Sequence, residues 1–198
     1  MPGKRKSRGG LSGGTGDVNP QWFSTSVTQS AADTTTTQAV SSPPGIGLSQ
    51  SGKSLAMELL KMAVTFDSIG ALYGSLPGAG TAGTVVRRVY LGNKNFSTTE
   101  PPLKSGDATV VGWVDDEVFI ADTTAANLDF AVGVQQPFVF DFTDGAGHGL
   151  LYANQNIYIQ LVSGGTGIVN TARIKLLYRE KYISEAELLG LVLQSNQN

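Results

Sequence analysis

Residues 47–67 read GLSQSGKSLAMELLKMAVTFD, and two folds compete for them. The first eight letters fit the phosphate-loop pattern G-x-x-x-x-G-K-[ST]. In that reading backbone N–H groups wrap phosphates, Lys53 reaches the outer phosphates and the Ser54 hydroxyl holds Mg²⁺. Such a loop works between a buried parallel strand and a helix whose N-terminus faces the phosphates. Upstream stands TTQAVSSPPGI, with Pro43 and Pro44 where that strand should end. Downstream, the apolar residues of LAMELLKMAVTFD satisfy either a helix or a buried strand, and the second half, KMAVTFD, favours strand. VVGWVDD, at 110–116, matches the apolar strand ending in Asp that holds Mg²⁺ in nucleotide hydrolases. The surrounding sequence decides between the folds.

That sequence is β-rich. Trp22, Ser24, Ser26 and Thr28 alternate with Phe23, Thr25, Val27 and Gln29, the pattern of a polar edge strand. A long polar connection follows, with a short strand at 36–40. TVVRRVYL at 84–91, ATVVGWVDD at 108–116, EVFIADTT at 117–124, PFVFDF at 137–142, QNIYIQLVS at 155–163 and VNTARIKLLYREKYI at 169–183 all read as strands, with a tight turn expected around Asp115 and Asp116. Ser184 and Glu187 form a capping box that opens one helix, with Leu188, Leu189 and Val192 on one face. About eight strands with almost no crossover helices predict an all-β fold, an antiparallel eight-stranded jelly-roll sandwich. The phosphate-loop reading loses, and no enzyme activity is expected.

Composition narrows the function. The chain has 198 residues, enough for one domain with a real core. Hydrophobic residues make up 40% and charged residues 15%, so the surface is covered largely by uncharged polar groups, as suits contact with other protein. Cysteine is absent, which excludes disulfides and thiolate metal sites. No apolar run reaches the roughly 18–20 residues of a membrane span, and no membrane association is expected.

Few residues point to catalysis. His148, the sole histidine, sits between glycines in DFTDGAGHGLLY, which excludes a multi-histidine metal site within one chain. Asp141 and Asp144 lack the EF-hand spacing. Asp115, Asp116 and Glu117, the densest carboxylate cluster, read as a solvated hairpin tip, with divalent-ion binding at a subunit contact as the weaker alternative. No cofactor is expected.

The formal charge of -2 is unevenly spread. Lys4, Arg5, Lys6 and Arg8 crowd a Gly/Ser-rich segment with little to bury, which reads as a flexible arm at 1–17 for contacting phosphates, or for nuclear import. The remaining divisions are a β-sandwich at 18–183 and a helix with tail at 184–198. Along the last strand Ile174, Leu176 and Tyr178 share one face, and Arg173, Lys175, Leu177, Arg179 and Lys181 share the other. Arg87 and Arg88 point to opposite faces of their strand, so at most one could join that basic face.

The closing stretch RIKLLYREKYISEAELLGLVLQSNQ resembles the final strand and tail helix of capsid proteins from small circular, Rep-encoding single-stranded DNA viruses. The opening GDVNPQWFSTSVTQSAADTTTT is similar to theirs as well. The resemblance implies a self-assembling icosahedral shell of about sixty copies, enclosing single-stranded nucleic acid bound without sequence preference. It places the protein in the virion, with passage through the host nucleus during assembly. Sixty short arms bring roughly 240 positive charges against a few thousand phosphates, so either Arg173, Lys175, Arg179 and Lys181 share the work or small cations do most of it. The alternative is a carbohydrate-binding or adhesin-like β-sandwich using Trp22 or Trp113 to stack on sugars.

Overall fold

The computed structural model describes residues 19–43, 47–48, 53–67, 83–96, 109–120, 137–165 and 167–196. The strands are β1 (Gln21–Thr28), β2 (Thr35–Ser41), β3 (Gly47–Leu48), β4 (Lys53–Phe66), β5 (Gly83–Gly92), β6 (Val110–Ile120), β7 (Phe138–Asp141), β8 (Leu150–Tyr152), β9 (Asn156–Gly164) and β10 (Thr171–Ser184). One helix, α1 (Glu185–Asn196), follows. Every described pairing is antiparallel.

The strands form two sheets. Sheet A runs β1-β10-β4, and the far edge of β4 is shared in succession by β3, β8 and β7; sheet B runs β2-β9-β5-β6. The chain passes from one sheet to the other after β1, β2, β4, β6, β8 and β9, which wraps it around the sandwich as a jelly roll. Among the described residues, the two strands beyond the expected eight are β3 and β8, of two and three residues.

The competing reading of residues 47–67 is resolved by β4. Gly47 and Leu48 pair with Leu55 and Ser54, and strand continues from Lys53 to Phe66, where a phosphate loop needs a helix. Ser54 is fully buried. Lys53 and Ser54 are therefore strand residues, outside the loop-then-helix setting that the phosphate-loop pattern requires.

The core lies between the sheets. Met57, Leu59, Met62, Val64 and Phe66 of β4, with Ala172, Ile174, Leu176 and Tyr178 of β10, meet Val89 and Leu91 of β5 and Ile157, Ile159 and Leu161 of β9. Period-two alternation sends these side chains inward. A bulge on β4 interrupts it: Leu177 lies opposite Lys61 but Tyr178 lies opposite Leu59, so Leu60 is the extra residue.

Two expectations need correction. Asp115 and Asp116 do not form a turn, because β6 runs unbroken from Val110 to Ile120 and pairs with β5 throughout. Val110, Val111 and Val114 before the acids and Val118 and Ile120 after them favour strand, and each acid meets an arginine across it. In α1, Leu188 is buried against Ala56 and Ile183 with Leu191 and Val192 beside it, while Leu189 is 59% exposed. The helix thus packs on the outer face of sheet A within its own chain.

Candidate nucleic-acid interface

The outward face of sheet A is set by register. Trp22 of β1 lies opposite Leu177 of β10, which lies opposite Lys61 of β4, which lies opposite Asp141 of β7. The next row is Ser24, Lys175, Ala63 and Val139, and beyond it come Ser26, Arg173 and Thr65. Since neighbours two apart on a strand share a face, these side chains form one continuous surface. Trp22 is 55% exposed and Val139 59%.

The four cations expected on β10 divide into two pairs. Arg173 and Lys175 stand on the open sheet. The Arg173 Nε donates to both Asp67 carboxylate oxygens at 2.9 and 2.8 Å, yet its side chain stays 68% exposed. Lys175 is exposed and forms no ion pair among the described residues. Lys61, whose place beside them only the register reveals, lies 3.6 Å from Asp141 Oδ2 and is half exposed.

Past the bulge, Arg179 and Lys181 serve Glu58. The Glu58 side chain is fully buried on the outer side of β4, beneath the loop that follows β7. Arg179 donates to it through Nε and, at 3.1 Å, through Nη2, and Nη2 also donates to the Gly147 carbonyl at 3.2 Å. The Gly149 N–H donates to Glu58 Oε1 at 2.8 Å, and Lys181 Nζ lies 4.0 Å away. Burial alone raises the Glu58 pKa, but the Arg179 and Gly149 hydrogen bonds and the two cations bring it below the ordinary glutamate value. The polar Glu58 in the run LAMELLKM was the available signal for this clasp.

Arg87 and Arg88 lie on sheet B, so neither joins the basic face of sheet A. Arg87 is fully buried between the sheets. Its guanidinium stacks 4.7 Å above the Phe66 ring, and Nε and Nη2 both donate to Asp116 Oδ2, Nε at 2.8 Å. Arg88 approaches Asp115 Oδ1 at 3.2 Å and Glu117 Oε2 at 3.0 Å. The three carboxylates are thus met by guanidinium groups, and no described group of three or more His, Asp or Glu residues is arranged to hold a metal ion.

The loop acids turn back on their own backbone. Asp141 Oδ1 accepts from the Thr143 hydroxyl at 2.6 Å and its N–H at 2.9 Å, and Asp144 Oδ1 accepts from the N–H groups of Ala146 and His148 at 2.9 and 3.1 Å. These bonds favour the ionised forms and lower both pKa values. Gly145 and Gly147 take φ values of 82° and 90° to close that turn. Trp113 is half buried, its ring 5.3 Å from Phe140, which leaves Trp22 as the exposed indole among the described residues. Lys4, Arg5, Lys6 and Arg8 lie outside the described residues.

No protein-family model and no curated protein matches the sequence. Solved structures do match the fold. VP1 of Trichodysplasia spinulosa-associated polyomavirus, in complex with 3'-sialyllactose, superposes with a TM-score of 0.51 at 10% identity, covering 85% of this chain and 97% of that one. Merkel cell polyomavirus VP1, in complex with 3'-sialyllactosamine, gives 0.50 at 9% identity, with 88% and 99% covered. Both are jelly-roll capsid proteins. The likeness concerns fold.

Proposed function

We propose that this chain is a viral capsid subunit that assembles into a closed shell around nucleic acid. The observation that carries the reading is the jelly roll, which spans most of the chain and is shared with viral capsid proteins. A surface poor in charge supports subunit packing. The basic arm at 1–17 supports contact with an enclosed polyanion and, through KRKSR, nuclear import during assembly. The resemblance of the closing strand and helix supports a single-stranded DNA genome and about sixty copies. The exposure of Arg173 and Lys175 supports them as the β10 cations that assist the arm, whereas Arg179 and Lys181 are engaged with Glu58.

Negative-stain electron microscopy of the purified protein at physiological salt tests the reading. Uniform closed particles are the expected result. Dispersed monomers across a range of salt and pH overturn it and favour the carbohydrate-binding alternative, whose supporting observation is the exposed Trp22. A glycan array screened with the dispersed protein then tests that alternative directly.

A further inference from the structure

We infer that Trp22, with Lys175 diagonal to it and Lys61 and Arg173 further along the same face, forms a platform on the outer face of sheet A that stacks a base of single-stranded nucleic acid and holds its flanking phosphates. This rests on the capsid reading and locates the contact on the folded body. Trp22 lies on β1, an edge strand of sheet A, and the residue is 55% exposed. Lys175 lies two residues along β10 from the Trp22 partner Leu177. That diagonal is about 7–8 Å, within reach of a long side chain and an indole.

Two arguments select the occupant. The first is charge. The arm at 1–17 carries four cations and Asp17, so the formal -2 leaves -5 for the rest of the chain, yet this patch holds three cations against Asp67 and Asp141 at its margin. The Lys61–Asp141 pair is exposed and weakly held, so phosphates can compete for Lys61, and Arg173, though bidentate on Asp67, keeps its side chain 68% exposed. The second is composition. Lysine is depleted from the cores of protein interfaces, whereas an aromatic ring set among cations is the usual stacking platform for single strands. Ser24, Ser26 and Thr28 line the same face of β1 with hydroxyl donors.

The test titrates a 20-nucleotide oligo-dT into the full-length protein and follows tryptophan fluorescence. Binding is expected to quench the parent and to leave Trp22→Phe, whose remaining indole is Trp113, unquenched. Trp22→Ala is expected to weaken affinity about tenfold, and Lys175→Gln to reduce the salt dependence by about one phosphate contact. Equal affinity and salt dependence in the parent, Trp22→Ala and Lys175→Gln overturn the inference, and so does a parent that binds no oligo-dT. A Trp22→Ala protein that fails to assemble but binds oligo-dT as the parent does makes Trp22 a subunit contact, which also overturns it. Particle formation by the parent is scored separately, so a failure of the capsid reading is distinguishable from a failure here.

Discussion

Asp116 and Glu58 are both buried carboxylates held by arginine, and their settings differ. Asp116 faces Arg87 in the core between the sheets, where removing one partner strands a charge among Phe66 and its neighbours. Asp116→Ala is expected to lower unfolding free energy by about 3–5 kcal/mol in urea titrations, whereas Arg87→Met combined with Asp116→Leu should recover much of it. Glu58 lies under a loop, and its folded pKa is below the unfolded value. The clasp therefore contributes stability that is full above the unfolded glutamate pKa and is lost as pH falls through the lowered folded pKa. The stability difference between the parent and Glu58→Gln is expected to be largest near neutral pH and to shrink below about pH 4. A difference that stays constant down to pH 2 contradicts this account of Glu58. Beside it, a Cβ on Gly149 would clash with the Leu59 carbonyl oxygen, so Gly149→Ala should displace the loop and lower the melting temperature.

At the scale of elements, β4 shows how local preference yields to context. Leu, Met, Glu and Lys favour helices, and LAMELLKM is composed of little else. It becomes strand because β10 on one side and β8 and β7 on the other satisfy its backbone, while its inward side chains fill the core. The helix α1 was legible because its start signal is local. The Ser184 Oγ accepts the Glu187 N–H at 3.2 Å, and Glu187 Oε2 accepts the Ser184 N–H at 2.9 Å. Ser184→Ala is expected to cost about 1 kcal/mol of helix stability, read as faster hydrogen exchange in 185–190. The bonds from Ser184 lower the Glu187 pKa, so the cap is complete at neutral pH and weakens as acid protonates that carboxylate.

At the scale of the molecule, buried polar groups join loops that are distant in sequence. Gln29 Oε1 accepts from the Ser163 hydroxyl at 2.9 Å and the Asn170 N–H at 3.0 Å, tying the β1-β2 connection to the β9-β10 connection. The Tyr152 hydroxyl donates toward the carbonyls of Gly92 and Asn156 at 3.0 and 2.7 Å, and its burial pushes the phenol pKa up. Gln29→Leu leaves the Ser163 and Asn170 donors without their buried acceptor, and is expected to cost about 1–3 kcal/mol in thermal unfolding. Assembly belongs to this scale too. Closed particles formed by the parent should persist in Lys175→Gln, because that side chain lies on an open face and supports no described contact within the fold.

The sequence by itself determined the all-β class, the capping box and most of the strands with their alternating faces, because each is encoded over a few neighbouring residues; the unbroken β6, the short β3 and β8 and the first half of β4 were not among them. The tertiary structure decided which strands are neighbours. Trp22 and Lys175 are far apart in the chain and share a surface only because β1 pairs with β10 in that register. Arg179 and Glu58 likewise meet through the pairing of β10 with β4, which engages a cation of the basic face with a buried carboxylate. Periodicity tells which way a side chain points along its own strand. What it points beside depends on pairing across the sheet, which is a property of the whole fold.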